Sequence, residues 1–327
     1  MKRNYWLMCS AAVVVIAGAA SSAQAAQYIN IVDPANPTFT QALGINGSNT
    51  IVGYGNATDF DGFVLTLPPV PGNFTRENYP NPSPPPSTFF TQVTGIDAAG
   101  DTVGFYVTNP AVGTTSGFGK SASGSFFTIN QPGFVFNQVL GLNQSGTEAA
   151  GYSSTDPAGM TLQQAFTYNG VSFTNVNALL PTNSNSQATG VNNAGTVVGF
   201  YQDAAGKFHA FEDVASLITS FQYPGSMSSQ ALGINDLGEI VGDYVAANGN
   251  MYGFLDNDGA FTTLDPLGST AVTANGINDA GKIVGFYMAA NGNTIGFLTP
   301  APEPASFALL GSGLIGLAVT RRRRRSK

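Results

Sequence analysis

Side chains able to do chemistry are few in this chain. His209 is the only histidine and Cys9 the only cysteine among 327 residues. A Ser-His-Asp relay would need His209, and no histidine-rich zinc set can be assembled. Carboxylates are the remaining source of acid–base chemistry, because glycosidic hydrolysis needs two Asp or Glu groups at a suitable separation. Asp59 with Asp61, Glu212 with Asp213, and Asp256 with Asp258 qualify by spacing. Each pair stands beside a turn glycine or at a strand end, where acids also serve turn formation. The segments Asp59-Phe60-Asp61-Gly62 and Asp256-Asn257-Asp258-Gly259 offer hard oxygen ligands to calcium, yet each lacks the further carboxylates of a full calcium loop. The expectation is no catalytic residue and no required cofactor, calcium being the one ion these turns could attract. No glycine-rich phosphate loop precedes a helix and no basic patch carries aromatics, so nucleotide and nucleic-acid roles have no support.

Charge agrees with that exclusion. Between residues 26 and 300 four basic residues (Arg76, Lys120, Lys207, Lys282) stand against eighteen acidic ones, a net charge of −14. A body this acidic repels nucleic acid and anionic membranes and attracts cations. Charged residues are only 9% of the chain, while Gly numbers 40 and aromatics reach 11%. That profile belongs to many short strands joined by tight turns.

The elements that must position any site come from internal repetition. Six segments share a core: Gly44-Ile45-Asn46, Gly95-Ile96-Asp97, Gly141-Leu142-Asn143, Gly190-Val191-Asn192, Gly233-Ile234-Asn235 and Gly276-Ile277-Asn278. Their spacings are 51, 46, 49, 43 and 43 residues. A Gln-x-x or Thr-Ala-Asn stretch precedes each core; a turn, an apolar run and a second glycine follow, as in Asn278-Asp279-Ala280-Gly281 before Ile283-Val284-Gly285-Phe286-Tyr287. The spacing predicts a hairpin, with a glycine free to take positive φ in its loop. A third strand carries Gly-Phe or Ala-Phe (Phe63, Phe118, Phe166, Phe211, Phe254, Phe297), and a fourth, clearest at Ala260 to Asp265, ends at a proline.

Four strands per 43 to 51 residues is the size of a β-propeller blade. The sixth unit stops after its third strand, at Phe297-Leu298-Thr299-Pro300, whereas Tyr28-Ile29-Asn30-Ile31-Val32-Asp33-Pro34 reads as a fourth strand with no three before it. Placing it in the last unit completes the sheet and removes the open edges of an array. The expected fold is all-β: a six-bladed propeller of four-stranded antiparallel blades over residues 26–300, with the N-terminal strand closing the last blade. Pro80 to Pro86 should form an extended polyproline II insertion. His209 shares its repeat position with Tyr252 and Ile295, so bulk rather than ionisation is expected of it.

The two ends carry processing chemistry. Lys2 and Arg3 precede the apolar stretch Tyr5 to Ala20, and Ala23-Gln24-Ala25 fits the small-x-small rule, so residues 1–25 read as a signal peptide cut by signal peptidase after Ala25. Residues 301–327 hold Pro302-Glu303-Pro304, fifteen mostly apolar residues from Ser306 to Thr320, and a basic cluster beginning Arg321, Arg322, Arg323. A helix of that apolar length reaches about 22 Å, short of a ~30 Å hydrocarbon core, so it spans only with thinning or flanking help. The arginines resist translocation, which leaves everything before Pro302 outside the cell.

In its three parts and their order this tail resembles the PEP-CTERM sorting signal of Gram-negative bacteria. The resemblance implies recognition and removal by an exosortase, with the residues at 302–304 as a processing signal and the apolar helix as a transient inner-membrane anchor. The repeats, over about residues 28–299, resemble the HAF family of bacterial extracellular proteins. Only the fourth unit spells His209-Ala210-Phe211; the others lack the histidine, so a catalytic histidine in each blade is untenable. Together these features lead to the expectation of an exported cell-surface or matrix protein, a non-enzymatic structural or binding module associated with exopolysaccharide. The rival is a secreted glycan-active hydrolase with acidic residues at a propeller mouth.

Overall fold

The computed structural model describes residues 28–56, 60–80, 90–176, 180–181 and 185–299. These residues form 24 strands and one short 3-10 turn, Pro71–Asn73. Strand β1 (Ile29–Ile31) is followed by β2 to β5 (Thr40–Ile45, Thr50–Gly55, Asp61–Thr66, Phe74–Arg76) and β6 to β9 (Thr91–Ile96, Thr102–Asn109, Thr114–Lys120, Phe126–Thr128). Next come β10 to β13 (Phe136–Leu142, Ala149–Ser154, Gln164–Tyr168, Phe173–Asn175) and β14 to β17 (Asn185–Val191, Val197–Gln202, Phe208–Val214, Leu217–Phe221). The last are β18 to β21 (Ser228–Ile234, Ile240–Val245, Met251–Asn257, Ala260–Leu264) and β22 to β24 (Ser269–Ile277, Ile283–Ala289, Thr294–Leu298). The fold is all-β: four separate four-stranded antiparallel sheets and one eight-stranded sheet.

The eight-stranded sheet departs from the regular repeat. It combines β18–β21 with β22–β24 and β1, joined by a single parallel register pair, Met251 with Ala271. The bulge between Ser269 and Ala271 in the long strand β22 turns its outer end against β20. All other pairings within the sheets are antiparallel.

Packing explains the repeated residues. Each third strand buries its phenylalanine completely: Phe63, Phe118, Phe166, Phe211, Phe254 and Phe297 are all 0% exposed. Burying such a ring is worth roughly 2–3 kcal/mol relative to leaving it in water. The ring lies against the second glycine of the repeat; a Cβ on Gly53 would stand 2.9 Å from Phe63 Cζ and would collide with the Gln41 carbonyl. In five of the hairpin loops an asparagine side chain accepts backbone N–H groups, as when Asn278 Oδ1 accepts from Ala280 and Lys282 at 3.2 and 3.1 Å, and in the second Asp97 Oδ1 accepts from Asp101 at 2.8 Å. Gly281 takes φ 69° there, whereas in the first unit Asn49 holds φ 63° in place of a glycine. Asparagine tolerates the left-handed region better than other non-glycine residues.

The six groups follow one another around a closed circuit. Asn46 Nδ2 donates to the Asp97 carbonyl at 2.9 Å, Asn192 to Asn235 at 3.2 Å, Asn235 to Asn278 at 3.1 Å, and Asn278 back to Asn46 at 3.0 Å. Asp97 stands where the others have asparagine, so it has no amide to donate onward.

Closure is made by the N-terminal segment. Ile29, Asn30 and Ile31 of β1 pair antiparallel with Leu298, Phe297 and Gly296 of β24. Tyr28 stacks edge-on against Phe297 with centroids 5.4 Å apart and accepts the Asp265 N–H at 3.1 Å. Beyond the strand, the fully buried carboxylate of Asp33 is held by Arg76 of β5, Nη1 to Oδ2 at 2.7 Å and Nη2 to Oδ1 at 2.8 Å. Asp33 thus ties the strand completing the last group to the outer strand of the first. Cleavage after Ala25, the signal helix, the insertion after Pro80 and the C-terminal helix all fall outside the described residues.

Candidate functional site

All six first strands carry a β-bulge immediately before the repeat glycine, between Ala42 and Gly44, Val93 and Gly95, Val139 and Gly141, Ala188 and Gly190, Ala231 and Gly233, and Ala274 and Gly276. A bulge re-aims the side chain it skips. The skipped residues are Leu43, Thr94, Leu140, Thr189, Leu232 and Asn275, and all six line one cavity of about 310 Å³ on the axis of the circuit. Two residues earlier, Gln41, Gln92, Gln138, Gln187, Gln230 and Thr273 form a second ring around the same cavity. Beyond the bulges the glycines close the bore. A Cβ on Gly276 would lie 3.1 Å from Gly44 Cα, one on Gly141 3.1 Å from Gly190 Cα, and one on Gly233 3.2 Å from Gly276 Cα. The repeat glycine is therefore required by the close approach of neighbouring backbones, and past it only about 60 Å³ of space continues.

The cavity is polar without being charged, with one exception. Gln187 Nε2 donates to Gln163 Oε1 at 3.1 Å, while the side chains of Gln41, Gln92, Gln138 and Gln230 have no hydrogen bond to any described residue. Thr94 and Thr189 each give their hydroxyl to a carbonyl of the following group, Val139 and Ala231, at 2.8 Å. Phe105, Phe200 and Phe286 add aromatic walls. Asp243 is the exception, the one ionisable side chain in the lining. It is 5% exposed. Burial pushes its carboxyl up to about 7, with no charged neighbour or hydrogen bond to oppose the shift. Asn275 Oδ1, in the same lining, is buried without a hydrogen-bond partner.

Of the carboxylate pairs suggested by spacing, Glu212 with Asp213 is divided between the two faces of a strand and Asp256 with Asp258 shares a hairpin turn. Glu212 and Asp213 are consecutive in β16 and face opposite sides of the sheet. Burial raises both; Asp213 buries an unpartnered Oδ1, while Glu212 is raised further by the charge of Asp256 on β20 of the next group. Asp258 and Gly259, with φ of 51° and 81°, make a two-residue hairpin loop, and Asp256 Oδ1 accepts the Gly259 N–H at 2.8 Å. That turn is a hairpin closure, and among the described residues no three His, Cys, Asp or Glu side chains converge as a metal set. Asp61 accepts from Asn78 Nδ2 at 3.0 Å; Asp59 lies outside the described residues.

His209 stacks on Tyr201 with centroids 5.1 Å apart. Its Nε2 is 2.9 Å from Asp203 Oδ2, and its Nδ1 is 2.9 Å from Gln222 Nε2. With both ring nitrogens engaged by a carboxylate and an amide, none is left for a serine hydroxyl. Ala25, Pro302, Glu303, Pro304, Arg321, Arg322 and Arg323 lie outside the described residues.

Spacing did not single out Asp243. Its signal was nevertheless present: the residue after the second glycine is Tyr54, Phe105, Tyr152, Phe200, Asp243 and Phe286 in the six units, so one unit replaces an aromatic with an acid.

Residues 300–325 match the model of the PEP-CTERM protein-sorting motif. That motif indicates an exosortase-processed protein of the extracellular surface, secreted or held in a Gram-negative envelope. No curated protein matches the chain. Among solved structures, a protein of unknown function from Dyadobacter fermentans is similar at TM-score 0.50 and 12% identity, over 84% of this chain and 98% of that one. AofleA from Arthrobotrys oligospora, solved as a mutant, gives TM-score 0.49 and 9% identity over 84% and 86%. A Bacteroides thetaiotaomicron protein of unknown function gives 0.45 and 15% over 83% and 75%. At these identities the likeness concerns the fold alone.

Proposed function

We propose that the chain is an exported six-bladed β-propeller, sorted to the cell surface through its PEP-CTERM tail, that acts as a non-enzymatic binding module for extracellular polysaccharide. The axial cavity carries this reading. Its amide groups offer both donors and acceptors, its phenylalanines offer apolar faces, and its single carboxyl lacks the second carboxylate that two-carboxylate glycosidic hydrolysis requires. The six groups of four strands and the closing strand β1 support the propeller. The apolar segment before the arginines would hold the protein in the inner membrane until the exosortase removes it.

The test uses the protein released by the producing cell, passed over that cell's own exopolysaccharide. Retention with the polymer left intact is the expected result. Shortening of the polymer during incubation would overturn the reading in favour of a hydrolase.

A further inference from the structure

Taken in consecutive pairs, the six units repeat three times around the axis. At the bulge the residues run Leu43, Thr94; Leu140, Thr189; Leu232, Asn275. After the second glycine they run Tyr54, Phe105; Tyr152, Phe200; Asp243, Phe286. At the outer ring they are Gln41, Gln92; Gln138, Gln187; Gln230, Thr273. In the third pair all three rows change, to Asn275, Asp243 and Thr273, and all three changed residues line the same cavity. Departures from internal symmetry gathered at one spot are the mark of a site and not of packing, because packing alone would be served by the residue used in the other two pairs.

The chemistry of those departures is one-sided. Asp243 presents a carboxylate that makes no hydrogen bond, and Asn275 buries an Oδ1 with no partner. An unbonded acceptor is costly to bury, and among the described residues no positive charge lines the cavity, whose unbonded donors are neutral glutamine amides. β18 and β22 contain no titratable side chain, β20 carries Tyr252 and Asp256, and β19 carries Tyr244 besides Asp243, none of them in the lining. Three phenylalanines, one from every second group, face the same space, and aromatic faces attract cations. The acidic body adds a long-range pull on cations.

We propose that the Asp243–Asn275 side of the axial cavity binds a primary ammonium group, the –NH3+ giving its three N–H donors to the Asp243 carboxylate, Asn275 Oδ1 and a glutamine carbonyl oxygen. This rests on the reading of the chain as a polysaccharide-binding module and narrows its ligand to a sugar carrying a free amine, although a small free amine offers the same group. Thr273 in place of a sixth glutamine leaves room on this side for the remainder of such a ligand.

Affinity for an amine that stays protonated should depend on the Asp243 carboxylate. With its carboxyl raised to about 7, going from pH 8 to pH 5.5 cuts the ionised fraction about thirtyfold, and binding should weaken by about the same factor. The test is isothermal titration of the secreted protein and its Asp243→Asn variant with methylamine, glucosamine, glucose and calcium chloride. Methylamine is run at pH 8 and 5.5, and the melting curve of each variant verifies folding. Expected are binding of glucosamine or methylamine, at least tenfold weaker binding of glucose, loss of the preference in Asp243→Asn, and the pH effect for methylamine. Binding of glucosamine alone assigns the ammonium to a sugar; binding of both assigns the group itself. Equal binding of glucose and glucosamine, calcium as the only ligand, binding of none of the four, or an undiminished preference in Asp243→Asn overturns the inference. Retention on exopolysaccharide that survives Asp243→Asn would leave the polysaccharide reading standing while this one falls.

Discussion

Asp243 is placed where the other units have an aromatic ring, and its energetic effect on folding has a definite sign. Its carboxyl rises from the ordinary 3.8 to about 7 because the charged form loses water on folding. The folded state therefore holds the proton more tightly than the unfolded chain. Its contribution is fully present below pH 3.8, is lost as pH rises toward 7, and stays lost above. At about 1.4 kcal/mol per pH unit, the loss across that window reaches about 4 kcal/mol. Asp243→Asn should accordingly be more stable than the native protein at pH 8, with the advantage shrinking toward pH 4. Urea unfolding at pH 4, 6 and 8 measures this, and a difference that stays constant across the three would contradict the burial argument.

Among the elements, the closing strand is the one whose loss is most readily predicted. Three register pairs hold β1 to β24, and the ion pair of Asp33 with Arg76 fastens its far end to β5. Arg76→Ala leaves the fully buried Asp33 carboxylate without its cation, which costs roughly 3 kcal/mol. Limited proteolysis should then cut first near residues 33–38, and thermal unfolding should start earlier than in the native protein. If Arg76→Ala keeps both its melting temperature and its protease resistance, the clasp is not what secures the closure. The hairpin and third-strand residues of this circuit were legible in the sequence, because tight turns and fully buried phenylalanines impose local patterns. The bounds of the short fourth strands β5, β9 and β13, three residues each, and the merging of two groups into one eight-stranded sheet were not. They depend on how neighbouring sheets meet.

For the whole molecule, residues 300–325 carry the PEP-CTERM motif, which indicates processing by an exosortase. Replacing Pro302, Glu303 and Pro304 together by alanine should block exosortase removal of the tail. The intact chain should then accumulate in the membrane fraction instead of reaching the medium or outer surface, as fractionation and immunoblotting would record. An unaltered distribution would mean that the apolar and basic segments suffice for sorting. The folding of the body should be unaffected, since the described circuit ends at Thr299, before the replaced residues.

The sequence by itself determined the sorting tail, the sixfold repeat, the four-strand unit and the need for an N-terminal strand to complete the last group. These rest on local order: motifs in series, glycines and asparagines at fixed offsets, and a strand left over at one end. Tertiary structure alone decided that glutamines and bulged residues 43 to 51 positions apart converge on one axis, and that Asp243 and Asn275 face the same cavity. The physical reason is that a one-residue bulge re-aims a side chain, and closing the circuit then brings six such side chains around one cavity. Neither the bulge nor the curvature of the ring is written in the chemistry of any single repeat.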